Sequence, residues 1–321
     1  AVLLQRLRAR EGGGMYFAVN PWAATTLAQL TAEVESTRAT AEPCHAIALV
    51  DLAFDATWLN APRWRRAPRC SLYEAGRLAE LSPVGLWIVP LSGLAPTVAE
   101  ALSALQQVVS GKPMFSVLLS ALSPEALASY WQPFLQARTA DGLDWPVRWG
   151  DTRVSPHLLN AMTDAERGAF LAPLHAWLTV DRSGQLQQWC GAGQSAPVAW
   201  QDSVWALDDE RFGQLVDVCE ADAVISRIDD QRPDLLKHHT PRACHRRGAQ
   251  CLNLANRGGL QAAPDRHALS MIGLNLDEAF MQHPAFERLL NNTRAGASFA
   301  QEIKALPDDF WDACARQDAV A

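Results

Sequence analysis

Apolar residues recur along this chain in two textures, and the change between them falls near residue 190. Before it, short continuous apolar runs at 46–51, 86–91 and 114–119 have the form of buried strands. Between them lie stretches with helical spacing. Residues 25–36 carry Leu27, Leu30 and Val34, and residues 97–109 place Val98, Ala101, Leu102, Leu105 and Val108 on one stripe. Residues 124–137 predict a helix with Leu127, Tyr130, Trp131 and Phe134 inward. Residues 145–189 then read as strand, helix, helix, hairpin. Ser155-Pro156 opens a helix through Met162, Thr163 and Glu166 form a capping box, and 178–180 and 186–189 flank an Asp181-Arg182-Ser183-Gly184 turn. Strands alternating with helices predict an α/β lobe with a mixed sheet.

After Trp189 the runs suited to strands stop. Residues 191–197 read as a small-residue linker, and 208–218, 221–228, 277–290, 298–306 and 308–316 as helices separated by polar loops. The second lobe is therefore expected to be mostly α-helical. The chain divides on this reading into an extension or fused segment at 1–14, an α/β lobe at 15–190 and a helical lobe at 191–321. The extension carries Val2, Leu3, Leu4 and Leu7 and ends in Gly12-Gly13-Gly14, a flexible link.

Composition narrows the function class. With 321 residues and 49% hydrophobic content the chain can bury a large core. No apolar run reaches the length that spans a bilayer, and no charged start precedes an apolar signal segment, so the expected location is the cytoplasm, with no membrane partner. A net charge of −7 argues against a nucleic-acid partner. The basic aromatic stretch at 58–69, with Trp64, Arg63, Arg65, Arg66 and Arg69, reads as an exposed loop rather than a single-strand binding surface. Seven scattered cysteines suit reduced thiols. Twelve tryptophans call for large aromatic cores or sticky surfaces.

No set of residues makes a convincing catalytic or cofactor site. Gly191-Ala192-Gly193-Gln194-Ser195-Ala196 fits the dinucleotide fingerprint in letters, but Pro197 and the short linker leave no helix for the pyrophosphate. Gly111-Lys112-Pro113 lacks the flanking residues of a phosphate loop. His238, His239, Cys244, His245 and Cys251 have metal-ligand chemistry without zinc spacing, and read as a polar interlobe loop. Neither a metal nor a cofactor is expected. Arg148, Asp151 and Arg153, set among Trp145, Trp149 and Val154, read as a structural clamp in which a carboxylate lies between two guanidiniums. Such a carboxylate stays ionised and makes a poor general base.

The run Arg148-Trp149-Gly150-Asp151-Thr152-Arg153-Val154, the Phe170 to Pro173 element and the aromatic-ended hairpin resemble the type VI secretion adaptor family, whose members often carry Arg-aromatic-aromatic-Asp-Pro-Arg here. The chain departs from that pattern at Gly150 and Thr152. Leu49-Val50-Asp51, Cys70-Ser71-Leu72-Tyr73 before the 86–91 strand, and Phe280-Met281-Gln282-His283-Pro284 are further matches. The resemblance implies a non-enzymatic cytoplasmic adaptor, or effector chaperone, that binds a secreted effector through an apolar or helical segment and helps load it onto the VgrG spike. Trp200, Trp205, Phe280, Phe286 and Trp311 are the aromatic residues expected to hold the effector. The reading from a different class is a hydrolase or transferase whose dispersed residues, such as His157 and Asp151, meet only in the fold.

Overall fold

The computed structural model describes residues 16–57, 64–74 and 76–315, so the 1–14 segment and the first part of the 58–69 stretch lie outside the described residues. By compactness the chain divides into two units, residues 19–219 and residues 220–315 with 16–18. The division falls inside one long helix rather than at the glycine-rich segment after Trp189.

The first unit is built on a six-stranded sheet in the order β2-β3-β1-β4-β7-β8, where β1 is His45–Asp51, β2 Cys70–Ser71, β3 Leu86–Pro90, β4 Phe115–Ser120, β7 Leu174–Val180 and β8 Leu186–Cys190. Every neighbouring pair in it is antiparallel. The runs read as continuously apolar because both faces are covered. Ala48, Val50, Val117, Leu119, Ala176 and Leu178 face a core with helices α1 (Thr26–Thr40) and α2 (Val98–Val109), while Ile47, Leu49, Leu118 and Trp177 face a second, aromatic core. Trp64 is buried in the first of these cores, so it does not stand out from its loop.

The aromatic core is closed by helices α3 (Pro124–Tyr130), α4 (Ser155–Ala161) and α5 (Asp164–Leu171) and by a small sheet in the order β6-β5-β9. Here β5 is Gln136–Thr139, β6 Asp144–Pro146 and β9 Trp205–Leu207. β5 pairs antiparallel with β6 and parallel with β9, so mixed pairing resides in this smaller sheet. The helix expected over 124–137 ends early. Pro133 cannot donate to the preceding turn, the chain tightens into a 3-10 turn at Gln132–Phe134, and β5 begins at Gln136. The capping box at Thr163 with Glu166 forms as expected, and a second, at Thr97 with Glu100, opens α2; each ties the helix's first turn to its cap residue.

The second unit is helical. Helix α6 (Asp209–Gln231) merges the two helices expected at 208–218 and 221–228, because no breaker separates them. The stretch read as a polar interlobe loop is helical instead: it holds most of α7 (Pro241–Arg257), and α8 (Ala263–Asn275) follows. Its apolar stripe is Cys244, Gly248, Cys251, Leu252 and Ala255, at helical spacing but with little bulk to announce it. The helix expected at 277–290 is a 3-10 turn at Glu278–Gln282 followed by α9 (Pro284–Arg294), whose start is fixed by the His283 ring accepting from the Ala285 amide and by Pro284 in the first turn. Helices α10 (Phe299–Lys304) and α11 (Asp308–Cys314) complete it around a core of Phe280, Phe286, Phe299 and Phe310. Among the described residues no helix is long and apolar enough to cross a membrane.

Candidate functional site

The residues singled out between β6 and α4 meet the end of β1. Asp51, the last residue of that strand, is almost fully buried, and its Oδ2 accepts the Arg148 Nε–H at 2.9 Å while Oδ1 accepts the Ala53 amide at 3.1 Å. Arg148 Nη2 lies equally close to Oδ2, placed for attraction without the angle of a hydrogen bond. Asp151 is held by the other arginine: its Oδ1 accepts both the Arg153 amide and Nε–H at 3.0 Å, and its Oδ2 accepts Nη2–H at 2.9 Å. The clamp is thus two ion pairs, with Arg148 drawn to Asp51 instead of to Asp151.

Phe54 joins them. The Arg148 guanidinium carbon stands 4.7 Å from the centre of its ring and that of Arg153 5.2 Å, so two cations share one aromatic ring. Neither Asp51 nor Phe54 stood out as a site residue in the sequence, although Asp51 ends the Leu49-Val50-Asp51 run.

Packing explains the rest of the signature. Trp149 points the other way, into the aromatic core, stacked on Phe170 at 4.1 Å and donating its Nε1–H to the Phe134 carbonyl at 2.7 Å. Tyr73 donates its hydroxyl to the Val147 carbonyl at 2.9 Å, and the Thr152 amide bonds Pro113. A β-carbon on Gly150 would lie 2.8 Å from that of Asp51 and 2.9 Å from Leu86 Cδ2, so any side chain here would force one of them to shift.

The electrostatics favour an architectural role. Burial raises Asp51 from 3.8 to about 6; Arg148 and the Ala53 amide pull it down, and the Asp151 carboxylate pushes it up. A perturbed carboxyl can mark a catalytic site, but the acceptor positions of Asp51 and Asp151 are taken by Arg148, Ala53 and Arg153. Because the folded value lies above the ordinary one, the folded chain binds this proton more tightly than the unfolded chain. That contribution is complete below pH 3.8 and is lost as pH rises through about 6. Asp51→Asn removes the titration, so its stability relative to wild type should improve by about 2 kcal/mol between pH 4 and pH 7. Urea unfolding at the two pH values checks this, and an unchanged difference would contradict it.

Of the aromatic residues expected to hold an effector, Trp205, Phe280 and Phe286 are buried in cores, and Trp200 and Trp311 pack partly buried against them. Trp205 is fully buried 6.0 Å from Trp149, and Trp200 packs half-buried against Phe134, both in the first unit. Phe280 and Phe286 are fully buried edge to face, and Trp311 lies against Phe310. Of the metal-type residues, Cys244 and Cys251 are buried in α7 and His239 Nε2 lies 2.9 Å from the Leu274 carbonyl oxygen; among the described residues no three His, Cys, Asp or Glu are grouped as a metal would need. Gly191 to Ala196 form a loop that opens no helix.

Residues 48–169 match the family model described as "Domain of unknown function (DUF4123)", a stretch that contains both ends of the Asp51–Arg148 pair. No curated protein and no solved structure matches the chain.

Proposed function

We propose that this chain is a non-enzymatic adaptor that binds a secreted effector of a type VI system and helps load it onto the VgrG spike. The observation that carries the reading is the DUF4123 match, because this domain is known in effector-loading adaptors of that system. The signature residues support it in a second way. Asp51, Arg148, Asp151 and Arg153 form two ion pairs over Phe54, an arrangement that suits the bracing of a binding scaffold.

In this reading the first unit is the part shared with other adaptors, and the helical unit adds to recognition of the particular effector. Co-expression of the full chain with the products of the genes beside its own provides the test. The account expects one product to become soluble and to co-purify with the chain. If every neighbouring product has the same solubility with and without the chain, and none co-purifies, the reading falls.

A further inference from the structure

Among the described residues the large apolar side chains left open to solvent are Leu143, Trp145, Val198 and Val216. Three of them converge. Leu143 stands just before β6, where its carbonyl still accepts the Thr139 amide at 3.0 Å, so the alternation of the hairpin puts it on the same side as Trp145. The Trp145 ring lies 5.6 Å from that of Phe212 on α6, and Val216 follows Phe212 by one helical turn on the same stripe. The result is an apolar patch across the β5–β6 hairpin and the first turns of α6, within the first unit.

Two features make the patch more than leftover surface. Trp145 is 44% exposed yet fixed: its Nε1–H donates to Thr139 Oγ1 at 3.2 Å, and Thr139 donates in turn to Asp141 at 2.6 Å. A ring already held in place loses little freedom on binding. The border is also acidic. Asp141 is tied into the hairpin turn by accepting the Leu143 amide, Asp209 is exposed on α6 one turn before Phe212, and Asp217 is exposed at the edge of the stripe next to Val216. The arginines of the same segments are neutralised, Arg138 by Asp144 and Arg211 by Asp208 and Glu166.

We propose that this patch is the docking surface for a basic segment with an apolar face, contributed by a partner protein; that the partner is the effector rests on the adaptor reading above. Aliphatic side chains of the segment would cover Leu143 and Val216. Its Lys or Arg would lie over the Trp145 ring and pair with Asp141 and Asp217. Contact through side chains suits the site, since the β6 edge is short and ends in Pro146, a poor template for an added strand. A second copy of the chain would bring its own acidic border against this one, and an anionic membrane would be repelled by it.

Two labelled synthetic peptides test this on the full chain by fluorescence anisotropy. Both carry leucines on one helical face; the other positions are lysine in one and glutamate in the other. The lysine peptide should bind, weaken with added salt, and lose at least about tenfold in affinity on Trp145→Ala or Asp141→Lys, with the variants' circular dichroism and melting unchanged. Absence of binding, equal binding of both peptides, or indifference to Trp145→Ala would overturn the proposal. A wild-type dimer that Trp145→Ala dissolves would assign the patch to a second copy and overturn it too. Because no effector is used, failure here leaves the adaptor reading standing. An effector that co-purifies equally with wild type and Trp145→Ala also sinks the patch alone, whereas capture by neither sinks the adaptor reading.

Discussion

Trp149→Ala is expected to destabilise the first unit by about 3–5 kcal/mol, the range for emptying a large aromatic site in a close-packed core. The indole is wholly buried and sits among Phe170, Trp177 and Trp205, and its Nε1–H supplies a hydrogen bond to the Phe134 carbonyl where the small sheet begins. Truncation therefore removes contacts on several sides and leaves that carbonyl short of its donor. Trp145, four residues earlier and half exposed, is the internal control: Trp145→Ala should shift stability by about 0.5 kcal/mol or less. Hydrogen exchange of the β4 and β7 amides through a urea series reads this unit apart from the helical one. Equal effects at the two tryptophans would contradict the assignment of Trp149 to the core.

Arg148→Met should be the most damaging change at the ion pairs. It leaves Asp51 buried without its guanidinium, and loss of one partner of a buried pair costs about 3–5 kcal/mol, reduced here toward about 2–3 because the arginine side chain is 37% exposed. The cost depends on pH in a defined direction. Without Arg148, which lowers the Asp51 value, the carboxyl binds its proton still more tightly in the folded state, so the penalty is full only above the variant's raised value, where Asp51 is ionised, and shrinks as pH falls toward about 6 and Asp51 becomes neutral. Urea unfolding at pH 7.5 and pH 5 measures both. A penalty that grows toward pH 5 would show that the pair does not work as described.

These residues also show what could be read from the sequence and what could not. Local chemistry was legible: the Thr163 cap, the Ser155-Pro156 helix start and the hairpin at Asp181 to Gly184 depend on residues a few positions apart. The run from Arg148 to Val154 was recognisable as a clamp, and Arg153 does hold Asp151. Arg148 lies 97 residues from Asp51, and spacing alone could not say which carboxylate it would choose. The parallel pairing of β5 with β9 joins residues 137–139 to 205–207 and has the same character. It also draws Trp200 and Trp205 into the first unit. Helix α7 escaped notice for another reason. Its buried stripe uses cysteine, glycine and alanine, and the arginines and histidines of its remaining positions dominate the letters. Burial likewise separated Phe280 and Phe286, which fill the helical core, from Trp145 and Val216, which stand in solvent.

The central claim is that the chain works by holding two partners together without altering them. Native mass spectrometry of the purified full chain mixed with its co-purifying effector and the VgrG spike reads both parts of that claim at once. The account predicts a complex containing all three, absent when the chain is omitted, from which each component is recovered at its starting mass. Effector and spike that stay separate in the presence of the chain, or a partner recovered cleaved or covalently modified, would contradict it.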